Sequence, residues 1–600
     1  MKSALAGLLV AGAAVYAAAV PSDTYSYGSD ESHKFSLPFH DRNSTGRKAA
    51  LEVKRAGWEY GPSRGGTNAP YPVGDLANKT IEAQHDLWFP PITSHVQNVN
   101  KDTAAAQAYI EANGNITSLD DFANKLYANG QWPNVFPSGP LPGILSNYTD
   151  DRTFSYFRLT GNPYKLTRVQ AEDELWFPVD NAKNITGQTL NQLQKQGRLF
   201  SVDYTALKDL ETLPVPKLFG GYCQAYFYIS PKDGDFLPLA IKLNNPGSDL
   251  IYTPEDEAND WLLAKMAFNS NDLWHLTWAH ITHSHSQAEH SYQTANRALS
   301  EDHPIMGVIH RLMKFTWGIR PLLYDGVMVP GSPVEHYFPF TGPAGSDYAD
   351  SLYNNGETGS WSKSYFRTTL QDRGLINSKF GPALKHFPYY EDVSIIYDTA
   401  RDFIKTVVHA YYANDRAVQQ DREIQAWLSE SEVAKTIDFV PSISTRDTLI
   451  DAVTHFAYLG AVVHGVLSTD GAIGLTAALP FSPTAFRKPM PTEKGITGDD
   501  LLTYLPGVYG AVQQVSTFAG ANRPEFRNTG ETISHMWDDP ILLGRMTPQV
   551  AAANHTFTDK MNKFSTEIRD RTFDKNGLSR GAPFMWNIMD PNWAAYNSVV

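Results

Sequence analysis

Trp261–Ile305 reads WLLAKMAFNSNDLWHLTWAHITHSHSQAEHSYQTANRALSEDHPI. From Glu255 to about Leu299 there is no proline, and apolar residues recur at helical spacing, so the pattern predicts one long helix. Within it, Trp274–His290 carries five histidines, at 275, 280, 283, 285 and 290, of 18 in the whole chain. Neutral imidazole is the commonest protein metal ligand, so the clustering points to a metal. Spacing decides which rings can act together. An α-helix turns about 100° per residue, so residues three or four apart share a face and residues five apart diverge by about 140°. His280 and His283 can chelate on a regular helix; His280 and His285 cannot. A local π-type turn would bring His280 and His285 to one side, and such turns are frequent at functional sites.

Outward from this run, the pattern is mainly α. Helices are expected at Val308–Leu323, over 391–428 and over 445–468. FAYLGAVVHGVLSTDGAIG, residues 456–474, places His464 in a strongly apolar helix, with Ser468 four residues on and on the same face. By periodicity alone a single imidazole there is more often a core residue than a ligand, and both roles stay open. The one clear β-rich patch is RLFSVDYTALKDL followed by GGYCQAYFYISPKDGDFLPLAIKL, with alternation, aromatics and an Asp-Gly turn. Residues 76–130 carry helical segments separated by turn signals, and 20–75 look irregular. There is no internal repeat, and no segment after the leader is expected to cross a bilayer.

Composition narrows the class. With 42% hydrophobic, 19% charged and 12% aromatic residues over 600 positions, the chain is an ordinary globular sequence with a large core. A formal charge of −14 without a long basic run argues against nucleic acid as a partner. MKSALAGLLVAGAAVYAAAV opens with a basic residue, a short apolar run and small residues at 17 to 19, which reads as a signal peptide over 1–19. Six Asn-x-Ser/Thr sequons, at Asn43, Asn78, Asn115, Asn147, Asn184 and Asn554, agree with secretion and a glycan coat. Cys223 is the only cysteine, so no intrachain disulfide can form. Lys54-Arg55 offers a dibasic site at which a propeptide could be trimmed; two solvated charges are the plainer reading.

At the histidine run the chain resembles the metal-binding helix of lipoxygenases. That family carries Trp-x-Leu-Ala-Lys, then Asn-Asp, then histidines five apart, then His-Pro-[Ile/Val]. Here these are Trp261–Lys265, Asn271-Asp272, His275, His280 and His285, and His303-Pro304-Ile305. DDRTFSYFRLTGNPYKLTRV is similar to the family's Arg-x-Leu-x-Gly-Asn-Pro segment, and GRLFSVDY, FLPLAIKLNNPG and YTPEDEANDWLLAK follow in the expected order. The resemblance covers roughly residues 150–600. It implies a single helical catalytic domain over 76–600, without the β-sandwich of the PLAT type that opens plant and animal members.

The resemblance also implies a ligand set: His280, His285, His464, Ser468 and the C-terminal carboxylate of Val600. Two departures stand out. Ser468 replaces the asparagine of many members, and the Asn597-Ser598-Val599-Val600 tail is one residue shorter than the common ending. His275 and His303 are expected to support the site from behind or to pack; His283 and His290 are expected to be exposed. A secreted chain without the sandwich is similar to the fungal secreted lipoxygenases, several of which hold manganese, so manganese is preferred and iron is the alternative. Imidazole plus carboxylate suits either ion.

The implied chemistry is abstraction of a bis-allylic hydrogen from a polyunsaturated fatty acid, such as linoleic or linolenic acid, by a metal-bound hydroxide that these ligands hold. Addition of O2 then gives a hydroperoxide. Gly318 is the small residue expected to steer oxygen insertion, and Arg487 is a candidate anchor for the substrate carboxylate. A monomer is expected. Two rival readings are a secreted zinc hydrolase using His280, His283 and Glu289, and a redox-silent carrier of lipid or metal.

Overall fold

The computed structural model describes residues 34–63, 70–127, 130–210, 212–213, 218–320, 323–468 and 471–598. The expected signal peptide lies outside the described residues. The long helix forms as anticipated, in three continuous parts: Ala258–His280, a π-helical turn over Ile281–Ser286, and Gln287–Ala298. Nearly every residue of Ala258–His280 is buried. A helix apolar all round belongs in a protein's centre, but this one also buries Asn269, Ser270, Asn271 and Asp272. Buried polar groups need partners, and three of these four attach the helix to its surroundings.

Asn271 accepts from the Cys223 N–H at 2.9 Å and donates to Gly221 O at 2.5 Å, tying the helix to the main sheet. Asn269 donates to Phe481 O at 2.9 Å. Asp272 forms a fully buried ion pair with Arg158 and accepts from Asn162 at 2.6 Å and from the Tyr204 hydroxyl. Arg158 is enclosed by the Phe154, Phe157 and Phe268 rings, at 4.1, 4.8 and 4.6 Å from its guanidinium carbon.

The β patch is a five-stranded antiparallel sheet in sequence order: Thr167–Arg168, Leu199–Asp203, Cys223–Ile229, Phe236–Leu243 and Ile251–Tyr252. Its central strands are buried on both faces, which matches their near-continuous apolar character. Phe227 of the central strand meets Phe268 of the long helix at 6.0 Å between ring centroids. The only other sheet among the described residues is a two-stranded hairpin, so these residues form no β-sandwich. The fold is mainly helical, as expected.

A second buried helical run crosses the first. It comprises Arg446–Ala457, a π-helical turn over Tyr458–Val463, and His464–Leu467. The two π-turns pack against one another. Arg446–Thr476 is long and apolar enough to span a bilayer by length and composition alone, but 94% of its most apolar window is buried in the protein. Its hydropathy is that of a core helix.

Other expectations need correction. The segment 20–75 is not wholly irregular: Ser44–Ala56 is a helix capped by Asn43, and Glu59–Ser63 pairs with Pro70–Val73. Within that helix Lys54 is buried, with its ammonium on Leu299 O at 3.1 Å and on Glu301, so it is no solvated charge. Arg55 donates to Arg297 O at 3.0 Å. Over 76–130, Asp75–Ala112 is one helix that runs through Pro90 and Pro91, not several short ones. The helix expected at Val308–Leu323 is instead Pro304–Leu312, followed by turns. It begins earlier because His303 caps it, Nδ1 accepting from the Ile305 N–H at 3.1 Å, and Pro304 fits the first turn.

Candidate metal centre

The π-turn over Ile281–Ser286 does what the five-residue spacing requires. It widens the helix by one residue, so that His280 and His285 share a side. The local sequence Ile-Thr-His-Ser-His-Ser supports this. Backbone carbonyls that a widened turn disturbs are met by hydroxyls: Thr282 donates to Ala279 O at 3.2 Å, Ser284 to His280 O at 2.7 Å, and Ser286 to Ile281 O at 3.3 Å.

His464 completes a triad. Ring centroids stand 5.3 Å apart for His280–His285, 5.6 Å for His280–His464 and 4.9 Å for His285–His464. One ligand nitrogen from each lies within 4.8 Å of the others. Ligands about 2.1 Å from one ion stand about 3–4 Å apart, so small inward movements suffice. Nδ1 of His280 donates to Thr277 O at 3.0 Å, which fixes the tautomer and leaves Nε2 with a lone pair. That Nε2 and the Nε2 of His464 are buried and have no hydrogen-bond partner. Orphaned buried nitrogens that converge are what a metal would satisfy.

Electrostatics keep the triad neutral. Burial lowers His280 to about 4. Burial first, then the neighbouring imidazoles, holds His285 and His464 well below the ordinary range. The imidazoles therefore keep their lone pairs at neutral pH. His283, three residues from His280, turns away to stack edge-on with Tyr164 at 5.1 Å and is not part of the triad. The chelating pair that a zinc hydrolase would need is not formed.

Glu289, the acid of that rival reading, has another place. It is ion-paired with Arg320 and sits one turn beyond His285, with Oε1 3.7 Å from Nδ1. Burial pushes its carboxyl up, against the pull of the guanidinium. At 3.7 Å, Oε1 and Nδ1 make no hydrogen bond, and both are buried without a partner, so Glu289 is a neighbour of His285 and not its orienting hydrogen-bond partner.

Ser468 is buried one turn beyond His464 and donates its backbone N–H to His464 O at 2.9 Å. Val600 lies outside the described residues, but the chain leading to it is placed. Tyr596, Asn597 and Ser598 are buried. Tyr596 donates its N–H to Glu531 O at 3.2 Å, and Arg311 lies 4.4 Å over its ring. The tail crosses the second π-turn at Gly460, where a Cβ would stand 3.4 Å from Tyr596 O and 3.7 Å from Ser598 Oγ. Gly460 is four residues before His464, so the tail enters the core beside the third imidazole.

The remaining histidines of the motif are structural. His275 is buried, with Nδ1 at 2.9 Å from the Tyr348 hydroxyl. His303 caps its helix, with Nε2 3.1 Å from Asp421 Oδ2. Both belong to packing rather than to support of the triad. His283 and His290, expected to be exposed, are buried, the latter 2.8 Å from the Tyr353 hydroxyl. Helical spacing could not show that this helix is covered on every side.

Gly318 lies in a turn against the helix Asp75–Ala112; a Cβ there would meet Gln84 O at 3.0 Å and Trp88 Cβ at 3.1 Å. Arg487 is exposed, with its backbone N–H on Tyr504 O at 2.8 Å, which fits a solvated charge. Among the sequons, Asn43, Asn78, Asn115 and Asn184 are exposed. Asn147 is half-buried and donates to Gly143 O and Pro583 O at 2.9 and 2.8 Å. Asn554 is buried in the helix Pro548–Arg569 and donates to Asp538, so its amide is closed to glycan attachment in the folded chain.

The chain's likenesses agree with this geometry. A lipoxygenase family model matches residues 180–583. The manganese lipoxygenase of Fusarium oxysporum is 38% identical over 575 residues, spanning 95% of this chain and 93% of that protein. That of Pyricularia oryzae is 37% identical over 564 residues, spanning 93% and 90%. A solved manganese lipoxygenase superposes with a TM-score of 0.91 at 36% identity, covering 94% of this chain and 100% of the other. With its paired π-turns and three converging imidazoles, the chain belongs to the lipoxygenase family.

Proposed function

We propose that the chain is a secreted manganese lipoxygenase that converts polyunsaturated fatty acids, linoleic and linolenic among them, to hydroperoxides. The observation that carries this is the buried neutral triad His280–His285–His464, with two orphaned Nε2 atoms, on a scaffold shared with manganese lipoxygenases. A redox ion held by these residues would supply one-electron chemistry suited to a weak bis-allylic C–H bond. The chain's own residues do the rest. Thr277 fixes the His280 tautomer, and burial keeps all three rings uncharged. Ser468 and the carboxylate of Val600 complete the proposed donor set. Secretion is supported by the N-terminal apolar leader and by four exposed sequons.

The test is metal analysis of the purified chain beside O2 uptake and conjugated-diene absorbance with linoleic acid. One manganese per chain with stoichiometric O2 uptake is expected. Zinc in the site, or bound manganese without O2 uptake, defeats the reading. Recovery from culture medium, with a mass loss on enzymatic deglycosylation, tests secretion.

A further inference from the structure

Beside the triad helix lies a second cavity of about 310 Å³, lined by Tyr164, Ala279, His283, Ser364, Arg373 and Leu467 among others. Two buried nitrogens there have no partner: His283 Nε2 and Arg373 Nη2. The rest of the Arg373 guanidinium is held by backbone only. Nε donates to Thr369 O at 3.1 Å, and Nη1 to Pro163 O and Leu166 O at 2.5 and 3.2 Å.

The other charges at this cavity are accounted for. Lys165 pairs with Glu357 at 2.6 Å and Lys363 with Asp438 at 3.0 Å. Asp372 lies at the rim, exposed to solvent. Among the described residues no carboxylate forms an ion pair with Arg373. Glu357 attracts Arg373 from across the cavity, but a buried guanidinium with no carboxylate in hydrogen-bond contact is costly.

We infer that this cavity is a binding site for one carboxylate group, held by Arg373 and His283. With Nε and Nη1 held by carbonyls, the one free amino group, Nη2, and the His283 Nε2 offer two points of attachment, which suits a small singly charged oxyanion such as a carboxylate. The carboxylate has two sources, a free small acid or the head of a fatty acid. Ala279 and Leu467, neighbours of His280 and Ser468, connect the cavity wall with the triad's helices.

Thermal unfolding of the full chain reads the site without turnover. Replacing chloride by formate, acetate or butyrate at constant ionic strength is expected to raise Tm saturably, by about 2 °C or more for at least one acid. Arg373→Gln is expected to abolish the rise, and Arg373→Lys, which keeps the charge and controls for folding, to retain part of it. The second arm compares KM for linoleic acid and linoleyl alcohol, and it alone rests on the lipoxygenase reading. A rise of about tenfold for the acid only, in Arg373→Gln, assigns the site to the substrate head group. An unchanged acid KM together with a lost Tm response assigns it to a free acid. If wild-type protein shows no carboxylate-specific rise and Arg373→Gln leaves the acid-to-alcohol ratio unchanged, the cavity holds water only and the inference is overturned.

Discussion

Asp272→Ala should undo the attachment of the triad helix, and the structure sets its size. The Asp272 carboxylate is fully buried and accepts from Arg158, Asn162 and Tyr204. Deleting it leaves the Arg158 charge buried without its partner, a loss of about 3–5 kcal/mol. The Asn162 and Tyr204 donors lose their acceptor too, each worth about 1–3 kcal/mol where no water enters. Even the lower bound is a large part of a typical folding margin of about 5–15 kcal/mol. Asp272 lies eight residues before His280 on one helix, so metal retention should fall with stability.

The double variant Asp272→Leu, Arg158→Met is the informative control. Burial pushes the carboxyl up and the guanidinium down despite their attraction, so desolvation outweighs the pairing. An apolar replacement of both removes the unpaired charge and leaves only the Asn162 and Tyr204 donors without their acceptor, so the double variant should lose about 2–6 kcal/mol, less than Asp272→Ala. Urea unfolding and metal content of the wild type, Asp272→Leu, Arg158→Met and the pair give the coupling energy, expected at about 3 kcal/mol in favour of the pair. A loss below about 1 kcal/mol in Asp272→Ala, or a double variant no better than the sum of its singles, would refute the reasoning.

Gly460→Ala should keep its metal, because a Cβ at 3.4 Å from Tyr596 O is an ordinary contact, whereas Gly460→Leu should push the tail aside and lower metal content severalfold; equal metal in both would show that the tail's route past Gly460 does not matter. Ser468→Asn should slow metal loss to a chelator, since an amide oxygen is the stronger donor; faster loss would mean that the serine position is not a ligand site. Acid should destabilise the fold. His95 and His290 are lowered to about 4 by burial, while in the unfolded chain they titrate near 6.5. Between these values the unfolded chain binds protons that the folded chain refuses, so stability is full above about pH 7 and falls as pH drops toward 4, by about 3 kcal/mol per histidine. Urea unfolding at pH 7.5, 6 and 5 checks this, and a flat profile would contradict it.

Periodicity and spacing made the long helix legible, because helical repeat and absence of proline are local properties. The π-turn was legible for a similar reason: two imidazoles five apart cannot share a face on a regular helix. The Asn-Asp pair was visible as a motif, but its work was not. Whether Asp272 is a surface charge or a buried anchor depends on Arg158, 114 residues earlier in the chain.

The same distinction holds for the whole protein. The sequence by itself determined the helical class, the five-residue histidine pair, the apolar setting of His464 and the family likeness, all carried by neighbours along the chain. Only the tertiary structure decided that His464 meets His280 and His285, that the tail passes Gly460, that His283 and His290 are buried, and that Arg373 keeps an unpartnered Nη2. Burial and convergence are sums over residues distant in sequence, and no local pattern contains them.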